Sequence, residues 1–354
     1  MPYQRHDAIT GEQTYLSATN FLSTKNYAVP ALENADYLSV KPTPTVPLAN
    51  SFLPSNLKAF IKLEQCNPTG SIKYRPANFI IRTLVEKGVL NSSSTVIESS
   101  SGNMGAALAY VCREFGIRFI CVVDPRAQQA NLDLIQRFGG EIDLVKTALN
   151  KDFLSARIKR VQELVDRTPN SYWTNQYANP LNQQAHFETT AKEIFDEFGS
   201  QLDALFVATS STGTYNGIAQ FFRKFSPTTQ VVAVDAQGSV LYGGSAGERK
   251  ISGMGAGIVT PLSKQSTPDI LYRISDIECV QGCHSLFLAE GHKAGGSTGA
   301  VYQALVKHQH DYCSKKVLLL SADGGDKYSN TIYNRDWVTS LKDGLWNESA
   351  GMGL

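Results

Sequence analysis

Four short loops carry residue types that could do chemistry together. NPTGSIK at 67–73 ends on Lys73, which Pro68 and Gly70 place in a turn at the start of a helical run. A lysine beside the first amides of a helix meets the positive end of the helix dipole, which disfavours the ammonium; a neutral amine there can form a Schiff base. ESSSGNMG at 98–105 sets Ser100, Ser101, Gly102 and Asn103 where hydroxyls and first-turn N–H groups make an anion cradle. TSSTGTYNG at 209–217 puts Ser210, Ser211, Thr212, Gly213 and Thr214 in the same relation to a following helix. It suits a phosphate dianion, and it is not a Walker loop because no Gly-Lys-Ser/Thr closes it. GGSTG at 295–299 brings Ser297 to the head of another helix. Taken singly, the lysine also reads as a solvated turn residue and the other loops as ordinary helix caps.

Elements that could position these loops are visible on either side of them. Apolar, β-branched runs at 60–64, 95–97, 119–123, 142–145, 204–208, 231–234 and 317–320 alternate with helical stretches at 104–115, 128–138, 153–165, 184–198 and 214–225. That alternation predicts α/β architecture with parallel sheets, because parallel strands need crossover helices. Ligands in such sheets bind beyond the carboxyl ends of the strands, where the loops above fall. The turn-rich WTNQYANP at 173–180, which carries Gln176 and Tyr177, is expected to mark the passage between two lobes. The expected division is an N-terminal arm over 1–44, a smaller mobile lobe over 67–179, and a larger lobe from 45–66 plus 180–345.

Composition narrows the class. In 354 residues, 33 Lys and Arg against 32 Asp and Glu leave a net charge of +1, with no electrostatic case for nucleic acid or an acidic membrane. A hydrophobic share of 42% is enough for sizeable cores. No apolar run approaches a membrane span, and MPYQRHDAITGEQTYLSATN lacks a secretory pattern, so a cytoplasmic protein acting on small molecules is expected. The six cysteines form no C-x-x-C pair, and no metal site is expected; they read as reduced and structural.

One turn lysine, one anion cradle, one phosphate loop and one hydroxyl loop, in that order on one α/β chain, point to pyridoxal phosphate. Two glycine-rich pieces support a ligand cleft: SGMGAG at 252–257 would admit a flat ring close to the backbone, and SADGGD at 321–326 ends the last strand at the same expected edge. NPTGSIK, SSSGNMG, the serine/threonine–glycine loop and GGSTGA resemble the cysteine synthase family of fold-type II pyridoxal-phosphate enzymes, over about residues 45–340. The resemblance implies a tryptophan synthase β-like fold of two three-layer αβα lobes with the cofactor in the cleft between them, and a homodimer. It implies that Lys73 is the Schiff-base lysine, that Asn103 meets the ring hydroxyl, that Ser210 to Thr214 bind the phosphate, and that Ser297 faces the ring nitrogen. It implies further that Ser100, Ser101, Gly102, Asn103 and Gln176 hold the substrate carboxylate.

A finer resemblance is to the siderophore-associated branch that makes N-(2-amino-2-carboxyethyl)-L-glutamate, the precursor of 2,3-diaminopropionate. It rests on KYRPA at 73–77, CVVDP at 121–125, NQYANPLN at 175–182, VVAVDAQGSV at 231–240 and AGGSTGA at 294–300. It implies β-replacement on an O-activated serine with glutamate as nucleophile, and makes Tyr177, Ser210 and Ser211 candidates for second-substrate contacts. The sequence departs from the pattern at Tyr74, where aspartate is usual and would pair Arg75, at Met104, and at Gly257, where an arginine would suit a phosphate leaving group. Sulfide in place of glutamate, giving a cysteine synthase, is the nearest rival; a dehydratase or a catalytically silent binding protein stands behind it. For Arg75 and Arg249 surface charge is the simpler reading, Trp173 reads as core, and His186 as a surface residue or one behind the site.

Overall fold

The computed structural model describes residues 41–49, 52–148 and 153–341. The expected arm over 1–44 lies outside the described residues except for its last four.

Ten strands form two sheets. The six-stranded sheet takes β1 (Thr45–Pro47), β2 (Lys58–Leu63), β7 (Ala204–Ala208), β8 (Gln230–Ala236), β9 (Ile270–Ile274) and β10 (Lys316–Ser321), in the order β1-β2-β10-β7-β8-β9. Only β1 is antiparallel to its neighbour. The four-stranded sheet takes β3 (Thr95–Ser99), β4 (Arg118–Val123), β5 (Glu141–Leu144) and β6 (Ser171–Trp173), all parallel, in the order β5-β4-β3-β6. The helices are α1 (Tyr74–Glu86), α2 (Asn103–Glu114), α3 (Gln129–Arg137), α4 (Phe153–Arg167), α5 (Pro180–His186), α6 (Lys192–Phe198), α7 (Gly213–Phe225), α8 (Asp276–Glu290), α9 (Gly296–Lys307) and α10 (Arg335–Thr339).

The apolar runs are continuous rather than alternating because both faces of each sheet are covered. Along β10, Val317 and Leu319 face a core shared with Val280 and Leu286 of α8 and Val301 and Leu305 of α9. Leu318 and Leu320 face the opposite core, with Ile194 of α6 and Ile218 and Phe222 of α7. In the smaller sheet, Val96, Phe119 and Cys121 pack with Ile80 of α1, Leu108 of α2 and Ile135 of α3. Ile97, Ile120 and Val122 pack with Val161 of α4 and Trp173. Each sheet is therefore the middle of three layers, the α/β architecture expected. All six cysteines are free.

Some elements differ from expectation. The helical stretch read over 184–198 begins earlier, at Pro180, where the Asn179 side chain caps the Leu181 N–H at 3.0 Å and proline takes the first turn. A π turn over Phe187–Ala191 then separates α5 from α6. Strands β1, β6 and β9 and helix α8 were not expected. Helix α8 opens on a capping box, Ser275 with Glu278. It packs so closely on α9 that a Cβ on Gly282 would lie 2.0 Å from the Gly299 carbonyl oxygen, so glycine there is what lets α8 approach the first turn of α9, which carries Ser297.

Candidate active site

Because the strands of each sheet run parallel, their carboxyl ends deliver the following loops to one edge. The loops after β2, β3, β4, β6, β7, β8 and β10 all contribute to a single cleft of about 230 Å³. Lys73, Ser100, Ser101, Gly102, Asn103, Gln176, Tyr177, Ser210, Ser211, Thr212, Thr214 and Ser297 line it. Gly213 sits between two lining residues with its α-carbon turned away, where a Cβ would come within 2.4 Å of Asn182.

Three helix N-termini face this space, those of α2, α7 and α9. Neither α7 nor α9 has a side-chain cap, so their first amides are free to meet an anion. Thr212 takes a left-handed conformation, φ 65°, to turn the chain from β7 into α7. Behind Thr214, the buried His186 accepts or donates at 3.1 Å through Nε2, and its Nδ1 meets Thr190 Oγ1 at 2.9 Å. Burial, with the charges of Lys73 and Arg75, pushes its pKa well below 6.5 and keeps it neutral. The reading of His186 as a residue behind the site describes this arrangement; the surface alternative does not.

Lys73 immediately precedes α1, and among the described residues no carboxylate stands within ion-pair distance of its amine. Burial lowers its pKa, against the opposing charge of Asp323. Asp323 is itself buried and was not singled out by the sequence. Its Oδ2 accepts from Asn103 Nδ2 at 2.7 Å and from the Tyr328 hydroxyl at 2.9 Å, while Lys327 Nζ donates to Asn103 Oδ1. Asn103 of the small sheet's α2 is thus fixed from the loop that follows β10 of the large one.

Two further groups were missed. Glu98 is fully buried, and among the described residues no cation is bonded to it; it accepts instead from the Ser99 N–H, Trp173 Nε1, Thr174 Oγ1 and the Gln176 N–H, at 2.7, 3.3, 2.7 and 3.0 Å. Burial raises its pKa, and those four donors oppose the rise. One carboxylate therefore ties the serine loop to the segment bearing Gln176. On the other side of the serine loop, Arg157 of α4 donates to Ser101 Oγ at 2.8 Å and pairs with Asp124 at 3.1 Å. Arg126 pairs with the same Asp124 at 3.2 Å. Two guanidinium groups share one carboxylate at the cleft wall, leaving a net positive charge there.

Residues 37–323 match the family described as pyridoxal-phosphate dependent enzyme. The chain belongs to that family. Its cofactor is pyridoxal phosphate, and it is an enzyme of the cysteine synthase type. It is similar to the N-(2-amino-2-carboxyethyl)-L-glutamate synthase of Cupriavidus metallidurans, 37% identical over 86% of this chain and 90% of that one. The protein of the same name from Ralstonia nicotianae is 37% identical over 84% of this chain and 89% of its own. Among solved structures it resembles an O-acetylserine dependent cystathionine beta-synthase from Helicobacter pylori, with TM-score 0.78 and 29% identity, covering 84% of this chain and 98% of that one. It also resembles an O-ureido-L-serine synthase, with TM-score 0.78 and 28% identity, covering 90% and 98%.

The residues of this pyridoxal-phosphate dependent enzyme fit its cofactor. An amine held towards neutrality, a loop of hydroxyls on an uncapped helix end and a second uncapped helix end share one cleft. Among the described residues no cluster of His, Cys, Asp and Glu could hold a metal ion, and no helix is long and apolar enough to cross a membrane.

Proposed function

We propose that the enzyme joins an O-activated L-serine to L-glutamate by β-replacement. The acceptor's amine forms a bond to Cβ, the Cβ–O bond breaks, and phosphate or acetate leaves with one proton released, giving N-(2-amino-2-carboxyethyl)-L-glutamate. The observation that carries this reading is the positive wall of the cleft, where Arg126 and Arg157 share Asp124. Sulfide needs no such wall, whereas glutamate brings two carboxylates to be held.

Lys73 holds the cofactor's aldehyde, Ser210 to Thr214 its phosphate, Asn103 its ring hydroxyl and Ser297 its ring nitrogen. Bound there, pyridoxal phosphate supplies an electron sink for the substrate's Cα carbanion. Lys73 Nζ, whose pKa desolvation lowers, takes the Cα proton and returns it once the acceptor has added at Cβ. Ser100, Ser101, Gly102, Asn103 and Gln176 hold the α-carboxylate. Tyr177, Ser210 and Ser211 meet the second substrate. Ser297 offers a hydroxyl rather than a carboxylate, so it does not hold a proton on the ring nitrogen. That favours expulsion at Cβ over transamination. The same reading makes the enzyme a cytoplasmic homodimer that supplies 2,3-diaminopropionate for siderophore assembly. It also makes the lobe over 67–179 mobile against the cofactor-anchoring lobe from 45–66 and 180–345.

Glu98 positions one of these carboxylate contacts, Gln176, and through the Ser99 N–H the start of the serine loop, without touching the substrate. E98Q keeps the shape but turns an NH2 towards N–H and O–H donors. It is expected to raise KM for the serine ester about tenfold, with a smaller fall in kcat. Steady-state kinetics check it, and an unchanged KM would detach Glu98 from substrate binding.

The function is tested by giving the purified holoenzyme O-phospho-L-serine or O-acetyl-L-serine, then L-glutamate or sulfide, and reading product mass. The N-linked adduct with glutamate is the expected result. Cysteine from sulfide together with indifference to glutamate would make the enzyme a cysteine synthase.

A further inference from the structure

Arg249 lies in the loop between β8 and β9, just before the glycine-rich segment that gives Ser252 and Gly253 to the cleft wall. It is half-buried, not the surface charge its sequence context suggests. Its guanidinium is folded onto that segment: a Cβ on Gly255 would lie 2.8 Å from Nη1, and one on Gly257 3.3 Å from Nη2. The absence of side chains at both positions is what leaves room for it. The segment is in turn fastened to the phosphate loop, with the Gly255 N–H donating to the Thr209 carbonyl at 2.7 Å and Ser210 Oγ donating to the Gly255 carbonyl at 3.4 Å.

Among the described residues Arg249 has no hydrogen-bonded or ion-paired partner. Its Nε is buried with no hydrogen bond, and among the described residues no carboxylate lies within ion-pair distance of it. A guanidinium withdrawn from water normally has its donors matched, because an unmatched one carries the whole desolvation cost. Burial and the neighbouring charge of Arg126 push its pKa down, against the more favourable fields of Asp235, Asp276 and Tyr177. Tyr177 and Arg126 line the cleft and Arg249 does not, so the unmatched guanidinium stands beside the cleft, behind the segment that carries Ser252 and Gly253, and interacts with both residues through its charge. Arg249 and the net charge on the Arg126–Arg157–Asp124 group bring positive charge to this side of the cleft from two places, as a dicarboxylic amino acid requires, while Lys73 and Asp323 oppose one another across its floor.

We propose that Arg249 is a specificity-determining residue that binds a carboxylate of the incoming acidic amino acid. This inference rests on the functional reading above for the identity of the acceptor. Its Nη and Nε donors form a planar fork that a carboxylate can engage through two bonds, which neither a lysine nor a neutral amide reproduces.

The test compares the parent holoenzyme with R249M, R249Q and R249K. The KM values for L-glutamate and L-glutamine are measured with O-acetyl-L-serine and, separately, O-phospho-L-serine as donor, and the KM of each donor is measured beside them. The cofactor's visible spectrum and a melting curve report folding, and R249Q carries the test if R249M does not fold. Glutamate binding to the holoenzyme, read as a spectral or fluorescence titration, supplies a measure independent of turnover. R249M and R249Q are expected to weaken glutamate roughly 10- to 100-fold in both KM and titration, and to erase most of its preference over glutamine. R249K is expected to recover part of that preference. A parent that prefers glutamate, with variants that keep the same preference, overturns the inference alone. So does a rise confined to the KM for O-phospho-L-serine, which would make Arg249 a contact of the leaving phosphate. A parent indifferent to glutamate overturns the functional reading and the inference with it.

Discussion

Replacing Lys73 with alanine is expected to lower kcat by on the order of 10³- to 10⁴-fold or more, because one group is lost from two roles. The amine holds the cofactor, and it moves the Cα proton. The structure gives the amine the properties that both roles need: it is half-buried in the cleft wall, its pKa is lowered, and among the described residues no carboxylate pairs with it. Asp323 lies close enough to stabilise the protonated form once a proton has been taken, and close enough to Asn103 and Tyr328 to be held in place itself. K73A keeps the serine/threonine loop and the helix end of α7, so the cofactor is expected still to bind, but to be removable by dialysis. K73R is expected to fail as completely as alanine, since a guanidinium keeps its proton. Kinetics, dialysis and the visible spectrum separate loss of chemistry from loss of binding. Turnover within about tenfold of the parent would remove Lys73 from the reaction.

The parts of this cleft that could be read from the sequence are those made by consecutive residues. An anion cradle needs small residues and hydroxyls side by side at a helix start, so Ser100 to Asn103 and Ser210 to Thr214 announce themselves as short strings. The strands that present them are legible for a similar reason: sheets covered on both faces need unbroken apolar runs, as at β4, β7 and β10. Strands β1 and β6, at three residues each, are too short to show a period, and β9 is a half-buried edge strand carrying Tyr272 and Arg273. Helix α8 is buried around most of its circumference, so it has no polar face to mark its turn.

The residues that the sequence did not disclose act across distance. Asp323 and Lys327 reach Asn103 from more than two hundred residues away, and Glu98 collects donors from β6, the strand beside its own, and from the segment that follows it, more than seventy residues on. Arg157 is an ordinary position on an amphipathic helix until α4 packs on the small sheet and delivers it to Ser101. Arg126 is the exception. It follows β4 directly, in one of the loops that parallel topology sends to the cleft, and that place alone could have marked it.

Arg75 is where tertiary structure reverses the sequence reading most sharply, and substituting it is expected to cause the largest loss of stability. With Tyr74 in place of an aspartate, Arg75 looked unpaired and exposed. Its side chain is instead fully buried, bonded to Glu64 through Nε at 2.6 Å and Nη2 at 2.9 Å, and to Glu193 through Nη1 at 2.6 Å and Nη2 at 2.7 Å. Lys62 pairs with Glu193 at 2.9 Å, so two cations and two carboxylates balance in one buried group. That group fastens the start of α1, two residues beyond Lys73, to the end of β2 and to α6. R75M removes one cation and leaves the buried Glu64 without it, which is expected to cost about 3–5 kcal/mol in a denaturant titration. The pH dependence supplies the control. Burial by itself raises the pKa of Glu64, and Arg75 with Lys62 brings it below 4.5. The parent therefore keeps this stabilisation above about pH 4.5 and loses it as pH falls through the lowered value. In R75M the lowering is largely gone, so Glu64 protonates sooner and the deficit against the parent shrinks as the solution is acidified. R75M/E64Q, neutral at both positions, is expected to regain part of the loss at neutral pH and to show a flatter pH profile than R75M. A deficit that stays constant from pH 7 down to pH 4 would mean that lost packing, not the uncompensated carboxylate, sets the cost.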